Sequence, residues 1–302
     1  MITPRLILGT ARVAGGADER AAIDLIRSAL DAGITAIDTA PSYGMGTAEA
    51  AVGKAVQGYE RVAVTTKLGS VPPSFAWLRT LLRRVKRAAA SSDEAIVDFP
   101  AAAIEGPTGS DFSDQSMSAS LAQSLERLGA IDALLLHDIS AGEISPAVLE
   151  SLEKLATGAG ASPGYAGFAQ WNAVLDDRFP AAMIAQCAPN PMWLLGRGEP
   201  PHGRALRLHS IGKTGLALAA DNLRFAAALE RAVAITGEHD LRTAELAALY
   251  ALAAVRFPAA RLLVTSSHRR RLCALLAAIA RIDAEGNHEE IAAIFRGSGG
   301  VE

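Results

Sequence analysis

The chain reads as one α/β domain, a closed (β/α)8 TIM barrel, and three observations point there. Short apolar runs rich in β-branched residues alternate with helical patterns, as in βα units on a parallel sheet. Eight such units fit in 302 residues, half of them hydrophobic, and that size is routine for a single barrel. The turn after the first run, Leu8-Gly9-Thr10-Ala11-Arg12, lacks the Gly-x-Gly-x-x-Gly expected of an open doubly wound sheet.

The elements follow in order. Leu6–Leu8 is strand one, and Ala21–Ala32 is a helix stopped at Gly33. Strand two is Ile34–Ile37, and the helix Ala48–Val56 ends at Gly58. Strand three is Val62–Thr66. The helix Ser118–Leu128 stops at Gly129 and leads to strand four, Ala133–Leu136, and the helix Pro146–Leu155. Strands five to seven are Tyr165–Phe168, Ala182–Ala185 and Ala205–Leu208. Helical patterns cover Asn222–Thr236 and Thr243–Phe257. Strand eight, Leu262–Val264, precedes the helix Arg269–Ile282 and a short helical tail over about 283–302. One segment breaks the rhythm. Residues 70–116 form a long inserted loop, and loops of this length in a barrel are functional or disordered. Within it Trp77–Ala90 has the pattern of a basic helix, either a solvated face or a lid on the pocket.

Composition narrows the function classes. A net charge of −3 offers no long basic face, so nucleic acid is not an expected partner. Cys187 and Cys273 each sit in an apolar stretch and read as buried reduced thiols, which fits a cytoplasmic protein. The first residues show no basic region followed by a long apolar core, so no signal peptide is expected. No apolar run approaches the ~20 residues that span a bilayer. No pattern sets an oligomeric state.

Asp38, Tyr43, Lys67 and His137 stand at or just beyond the ends of apolar runs, where parallel neighbouring strands bring them into one pocket. Such a set lowers the pKa of a tyrosine and presents it as a proton donor, the chemistry of carbonyl reduction. Taken singly, each residue has a plainer role: a helix cap, a rim aromatic, a solvated charge, a loop histidine. The order of all four argues against that. A metal site is not expected, because His137-Asp138 lacks a second histidine at ligand spacing.

The quartet and its flanks resemble the aldo-keto reductase family over nearly the whole chain. The most specific stretch is Asp31-Ala32-Gly33-Ile34-Thr35-Ala36-Ile37-Asp38-Thr39-Ala40-Pro41-Ser42-Tyr43-Gly44, with Glu49 and Gly53 in place. A second runs from Ser120-Leu121 through Ser124-Leu125-Glu126-Arg127-Leu128-Gly129 and Ile131-Asp132 to Leu134–Asp138. Asp111-Phe112-Ser113 with Met117 is similar to the branch of L-fucose, D-galactose and D-threo-aldose 1-dehydrogenases. The resemblance implies an oxidoreductase acting on a small carbonyl compound or sugar. Tyr43 would be its general acid and base, Lys67 the cation supporting it, Asp38 the partner of Lys67, and His137 a donor to the substrate oxygen.

It also implies a nicotinamide cofactor, NADP(H) in preference to NAD(H). The expected contacts are Thr10, Gln170, Gln186, His209, Thr265, Ser266 and Arg271, the last two at the 2′-phosphate. Several positions depart from the family pattern. Ala169-Gln170 stand where it has Ser-Asn, His209 where it has a larger aromatic, and Ala274 and Leu275 where it has Glu-Asn. Two alternatives follow: a nucleotide-binding regulatory barrel with little turnover, and a non-redox acid–base enzyme.

Overall fold

The computed structural model describes residues 1–13, 19–71, 109–170, 176–198, 200 and 203–296. The strands are β1 (Leu6–Gly9), β2 (Ala36–Asp38), β3 (Ala63–Leu68), β4 (Ser70–Val71), β5 (Gly109–Ser110), β6 (Ala133–His137), β7 (Ser162–Gln170), β8 (Ile184–Ala188), β9 (Leu206–Leu208) and β10 (Arg261–Val264). Eight of them close in the order β1-β10-β9-β8-β7-β6-β3-β2, and every pairing is parallel. This is the expected (β/α)8 barrel. β4 and β5 pair antiparallel and join the two ends of the insertion. Residues 72–108, including the expected basic helix Trp77–Ala90, lie outside the described residues.

The helices are α1 (Glu19–Asp31), α2 (Thr47–Ala55), α3 (Asp114–Leu128), α4 (Pro146–Gly158), α5 (Pro191–Leu194), α6 (Ile211–Asp221), α7 (Leu223–Ile235), α8 (Leu241–Arg256), α9 (Arg269–Glu285) and α10 (His288–Ile294). Their starts follow from side-chain caps. Ser113, Ser145, Asn222 and Asp240 each accept a hydrogen bond from the amide three residues on. Asp283 of α9 accepts from the Ile2 and Thr3 amides at 2.6 and 2.8 Å and from the Thr3 hydroxyl at 2.8 Å. The segment before β1 is thereby tied to the last long helix.

Two strands start two residues later than expected, for one reason. Gly33, at φ 93°, ends α1 in the left-handed conformation that favours glycine. The Ile34 amide is turned back onto Ala29 O at 3.1 Å, so it cannot join the sheet and β2 begins at Ala36. Likewise the Met183 amide bonds Pro180 O at 3.0 Å, and β8 runs over Ile184–Ala188 rather than Ala182–Ala185. Helix α6 was not expected. Its Gly212 and Gly215 weaken the helical pattern, yet both serve packing. A Cβ there would meet Leu246 Cδ2 at 2.4 Å and Leu249 Cδ2 at 2.5 Å, so the glycines let α6 lie close on α8.

The strands sort their side chains by a period of two. Leu134 and Leu136 join the large core between sheet and helices. Ala133 and Leu135 instead meet Ala166 and Ile184, while Ile7, Ala36 and Leu263 meet with Ala63 beside them. These two small clusters face the lumen, together with Asp38, Lys67, Gln186 and Arg207 by the same alternation. The alanines leave the lumen open to long polar side chains.

Gly53 of α2 faces the end of α3, where a Cβ would stand 1.9 Å from Arg127 O. Gly53→Ala therefore wedges the two helices apart and should cost about 1–3 kcal/mol by urea denaturation. Unchanged stability would show that this approach is not constrained.

Candidate active site

Asp38 ends β2 and Lys67 lies on the adjacent strand β3, where Asp38 pairs with Thr65. The two side chains are 2 % and 1 % exposed as residues. Lys67 Nζ donates to Asp38 Oδ1 at 2.6 Å, to Thr39 O at 2.9 Å and to Tyr43 Oη at 3.2 Å. An ammonium has three protons, and all three are engaged. The other carboxylate oxygen, Asp38 Oδ2, accepts from Gln186 Nε2 at 3.0 Å. A carboxylate only accepts, so the NH2 of Gln186 must face it. That leaves Gln186 Oε1 buried with no hydrogen-bond partner among the described residues.

Tyr43 opens a tight 3-10 turn, Tyr43–Gly46, in which Gly44 and Met45 are left-handed. Its ring is half-buried, with Lys67 Nζ 4.8 Å from the centroid. His137 stands edge-on to it at 5.7 Å between centroids. Behind this layer Glu49 is wholly buried and accepts from Thr66 Oγ1 at 2.7 Å, Ser124 Oγ at 2.8 Å and Arg127 Nη1 at 2.7 Å. These bonds lock β3 to α2 and α3 and fix the strand that carries Lys67.

The electrostatics differ from expectation in one respect. Burial pushes the Tyr43 phenol above its ordinary 10.0, Lys67 pulls it back, and Asp38 adds to the rise. The net direction is up, so the expected lowering of Tyr43 does not occur. The phenolate loses more from lost water than it gains from a lysine that Asp38 already neutralises. Burial works against the Lys67 ammonium too, but Asp38 and then Tyr43 outweigh it and hold its pKa above 10.5. Burial first, then the charge of Lys67, keeps His137 far below 6.5 and neutral. The pocket thus presents a protonated phenol, a locked cation and a neutral imidazole.

The other residues singled out from the sequence take varied places. Thr10 is wholly buried and donates to Asp38 O at 3.0 Å. His209 faces the pocket with Nε2 2.8 Å from Gly167 O and Nδ1 2.9 Å from Ser210 Oγ. Gln170 closes β7, and its side chain lies outside the described residues. Thr265 is exposed, and Ser266 Oγ accepts from the His268 amide at 3.1 Å before α9. Arg271 is exposed in the first turn of α9, near Asp240. Trp193 is buried against Phe257 with ring centroids 5.9 Å apart. Among the described residues no three His, Cys, Asp or Glu are grouped to hold a metal.

Sequence reasoning missed Ser42, whose Oγ is 3.4 Å from His137 Nδ1, and Arg207. The Arg207 guanidinium crosses the lumen to donate to Thr65 Oγ1 at 2.7 Å, within the field of Asp38. Its signal was available: in Leu206-Arg207-Leu208 the flanking leucines point outward, so the arginine must point in.

The pair also sets a test on stability. Because Lys67 is raised in the fold, its contribution is present below 10.5 and lost as pH rises through the folded value. In Asp38→Asn burial dominates and the Lys67 pKa falls below 10.5, so the sign reverses and stability rises with pH. The variant should lose about 3–5 kcal/mol near neutrality, and the deficit should narrow by pH ~10 in denaturant melts. An equal deficit at both pH values would rule this account out.

Comparison with known proteins agrees with the geometry. The model of the aldo/keto reductase family matches residues 5–165. The aldo-keto reductase YhdN of Bacillus subtilis (strain 168) is 49% identical over 70 residues, 21% of this chain and 21% of that one. The structure of the glycerol dehydrogenase AKR11B4 from Gluconobacter oxydans aligns at TM-score 0.64 and 19% identity, over 96% of this chain and 91% of that one. An aldo-keto reductase from Klebsiella pneumoniae, in complex with NADPH, aligns at TM-score 0.59 and 18% identity, over 97% and 91%. With half its length matched by the family model, its barrel shared with these structures and its quartet gathered at the strand ends, the chain belongs to the aldo/keto reductase family.

Proposed function

We propose that the protein is an NADP(H)-dependent oxidoreductase that interconverts an aldehyde, ketone or sugar hemiacetal with its alcohol or lactone. The observation that carries this reading is Lys67 Nζ, bonded to both Asp38 and Tyr43 Oη, with His137 across the ring. Tyr43 holds a proton beside a fixed positive charge and gives it to a carbonyl oxygen as negative charge builds there. His137, neutral, donates a hydrogen bond to that oxygen. In the reverse direction Tyr43, once deprotonated, accepts the proton of the alcohol, and Lys67 offsets its charge.

The residues present fit a nicotinamide dinucleotide, which when bound supplies or takes up the hydride. Gln186 Oε1 is an orphaned buried acceptor suited to the N–H of a carboxamide. His209 offers a ring held in place by Gly167 O, and Gln170 and Thr10 stand at the same strand ends. After β9 and β10 the helices α6 and α9 begin, and helix starts favour phosphate. Thr265, Ser266 and Arg271 lie at the second of these, where a 2′-phosphate would meet the arginine. The NADPH complex of the Klebsiella pneumoniae relative supports the same preference. A sugar or aldose substrate is supported by the resemblance at Asp111-Phe112-Ser113. A cytoplasmic location is supported by two cysteines that form no disulfide.

Tyr43→Phe should lower carbonyl reduction by about 10²–10⁴-fold while NADPH still quenches the protein's fluorescence on binding. Normal turnover in the variant would refute the reading. Binding without turnover in the unaltered protein would instead fit the regulatory barrel, which the departures at Ala169, Ala274 and Leu275 favour. The raised phenol also sets the pH profile. Below its pKa Tyr43 is protonated, so reduction should stay level through neutrality and fall only above 10.0. Alcohol oxidation needs the deprotonated form and should climb with pH across the same range. Steady-state rates in both directions test this, and an oxidation rate that peaks near neutrality would exclude Tyr43 as the base.

A further inference from the structure

Each of the two histidines of the pocket has a serine hydroxyl at Nδ1. His209 Nε2 is 2.8 Å from Gly167 O. A carbonyl oxygen only accepts, so Nε2 carries the proton. The Nδ1 lone pair of His209 then accepts from Ser210 Oγ at 2.9 Å. On His137, Nε2 lies 3.6 Å from Asp138 Oδ2, a second acceptor-only group. Nδ1 lies 3.4 Å from Ser42 Oγ. Ser42 is itself fixed by the turn in which the Tyr43 amide bonds Ala40 O at 3.0 Å.

We propose that Ser42 is a positioning residue that holds His137 in its Nε2–H tautomer, the form that aims a donor at the carbonyl oxygen. A neutral imidazole has one N–H, and the bond at one nitrogen decides where it sits. In the opposite tautomer Nδ1–H would point at Ser42, and the Nε2 lone pair would face the Asp138 carboxylate. That arrangement sets two electron-rich groups against each other and leaves no donor for the substrate. With the Ser42 hydroxyl donating to Nδ1, the proton sits on Nε2 and is presented there. Burial keeps the ring neutral, so tautomer and not charge is the variable. The donor role rests on the oxidoreductase reading, whereas the tautomer is a property of the protein alone.

The test uses long-range 1H–15N correlation spectra of the full 15N-labelled chain at neutral pH. Among the six histidines, His137 and His209 are assigned by the signals missing in His137→Gln and His209→Gln. The unaltered protein should show both rings as Nε2–H. Ser42→Ala should move His137 toward a mixture with Nδ1–H and leave His209 unchanged. Ser42→Thr, which keeps a hydroxyl, should restore the original pattern. Carbonyl reduction in Ser42→Ala should fall about fivefold in kcat, the worth of one hydrogen bond, with KM little changed. An Nδ1–H form of His137 in the unaltered protein, or an unmoved His137 in Ser42→Ala, overturns the proposal. The expected tautomers without any NADPH-linked turnover would refute the oxidoreductase reading and leave the role of Ser42 on the ring established.

Discussion

The bond between Lys67 and Asp38 is the constraint on which the site depends. Both charges are almost wholly out of water, and burying an ion costs several kcal/mol even after relaxation. Here the geometry meets that cost in full. The carboxylate takes Lys67 on one oxygen and Gln186 on the other, and the ammonium spends its remaining protons on Thr39 O and Tyr43 Oη. A pair so completely satisfied cannot shift without leaving a buried polar atom unpaired. Tyr43 is therefore held against a fixed positive charge, and Thr10 helps by pinning the backbone of Asp38.

The lumen makes this arrangement possible. A barrel interior filled by large aliphatic side chains leaves no room for three long polar ones. Ala36, Ala63, Ala133 and Ala166 keep the inner layers thin. Lys67, Gln186 and Arg207 then reach across the space and use it for hydrogen bonds. The hydrophobic stabilisation lost inside the barrel is recovered outside it, in the continuous core between strands and helices.

How much of this was legible depended on how local the cause is. The barrel was readable because most strands are compact apolar runs with a polar residue at or just past the end. Asp38, Lys67 and His137 showed themselves that way. Ends of strands were less readable where an amide is diverted, as at Ile34 and Met183. Helix α6 was hidden because Gly212 and Gly215 answer to Leu246 and Leu249, far along the chain. The direction of the Tyr43 shift was missed because it is a balance between burial and two opposite charges. Such a balance depends on three-dimensional packing that residue identities do not contain.

The clasp at Asp283 has a consequence for how the chain becomes a barrel. It joins the residues before β1 to α9, and β1 itself pairs with β10. The seam of the barrel therefore lies between the first and last barrel strands, and its contacts are among the longest in sequence that this chain makes. Contacts of that kind bear the largest loop-closure cost and slow folding. The other barrel pairs join strands closer along the chain, so this one closes the longest loop of the barrel. Asp283, by taking three hydrogen bonds from Ile2 and Thr3 at once, braces that seam.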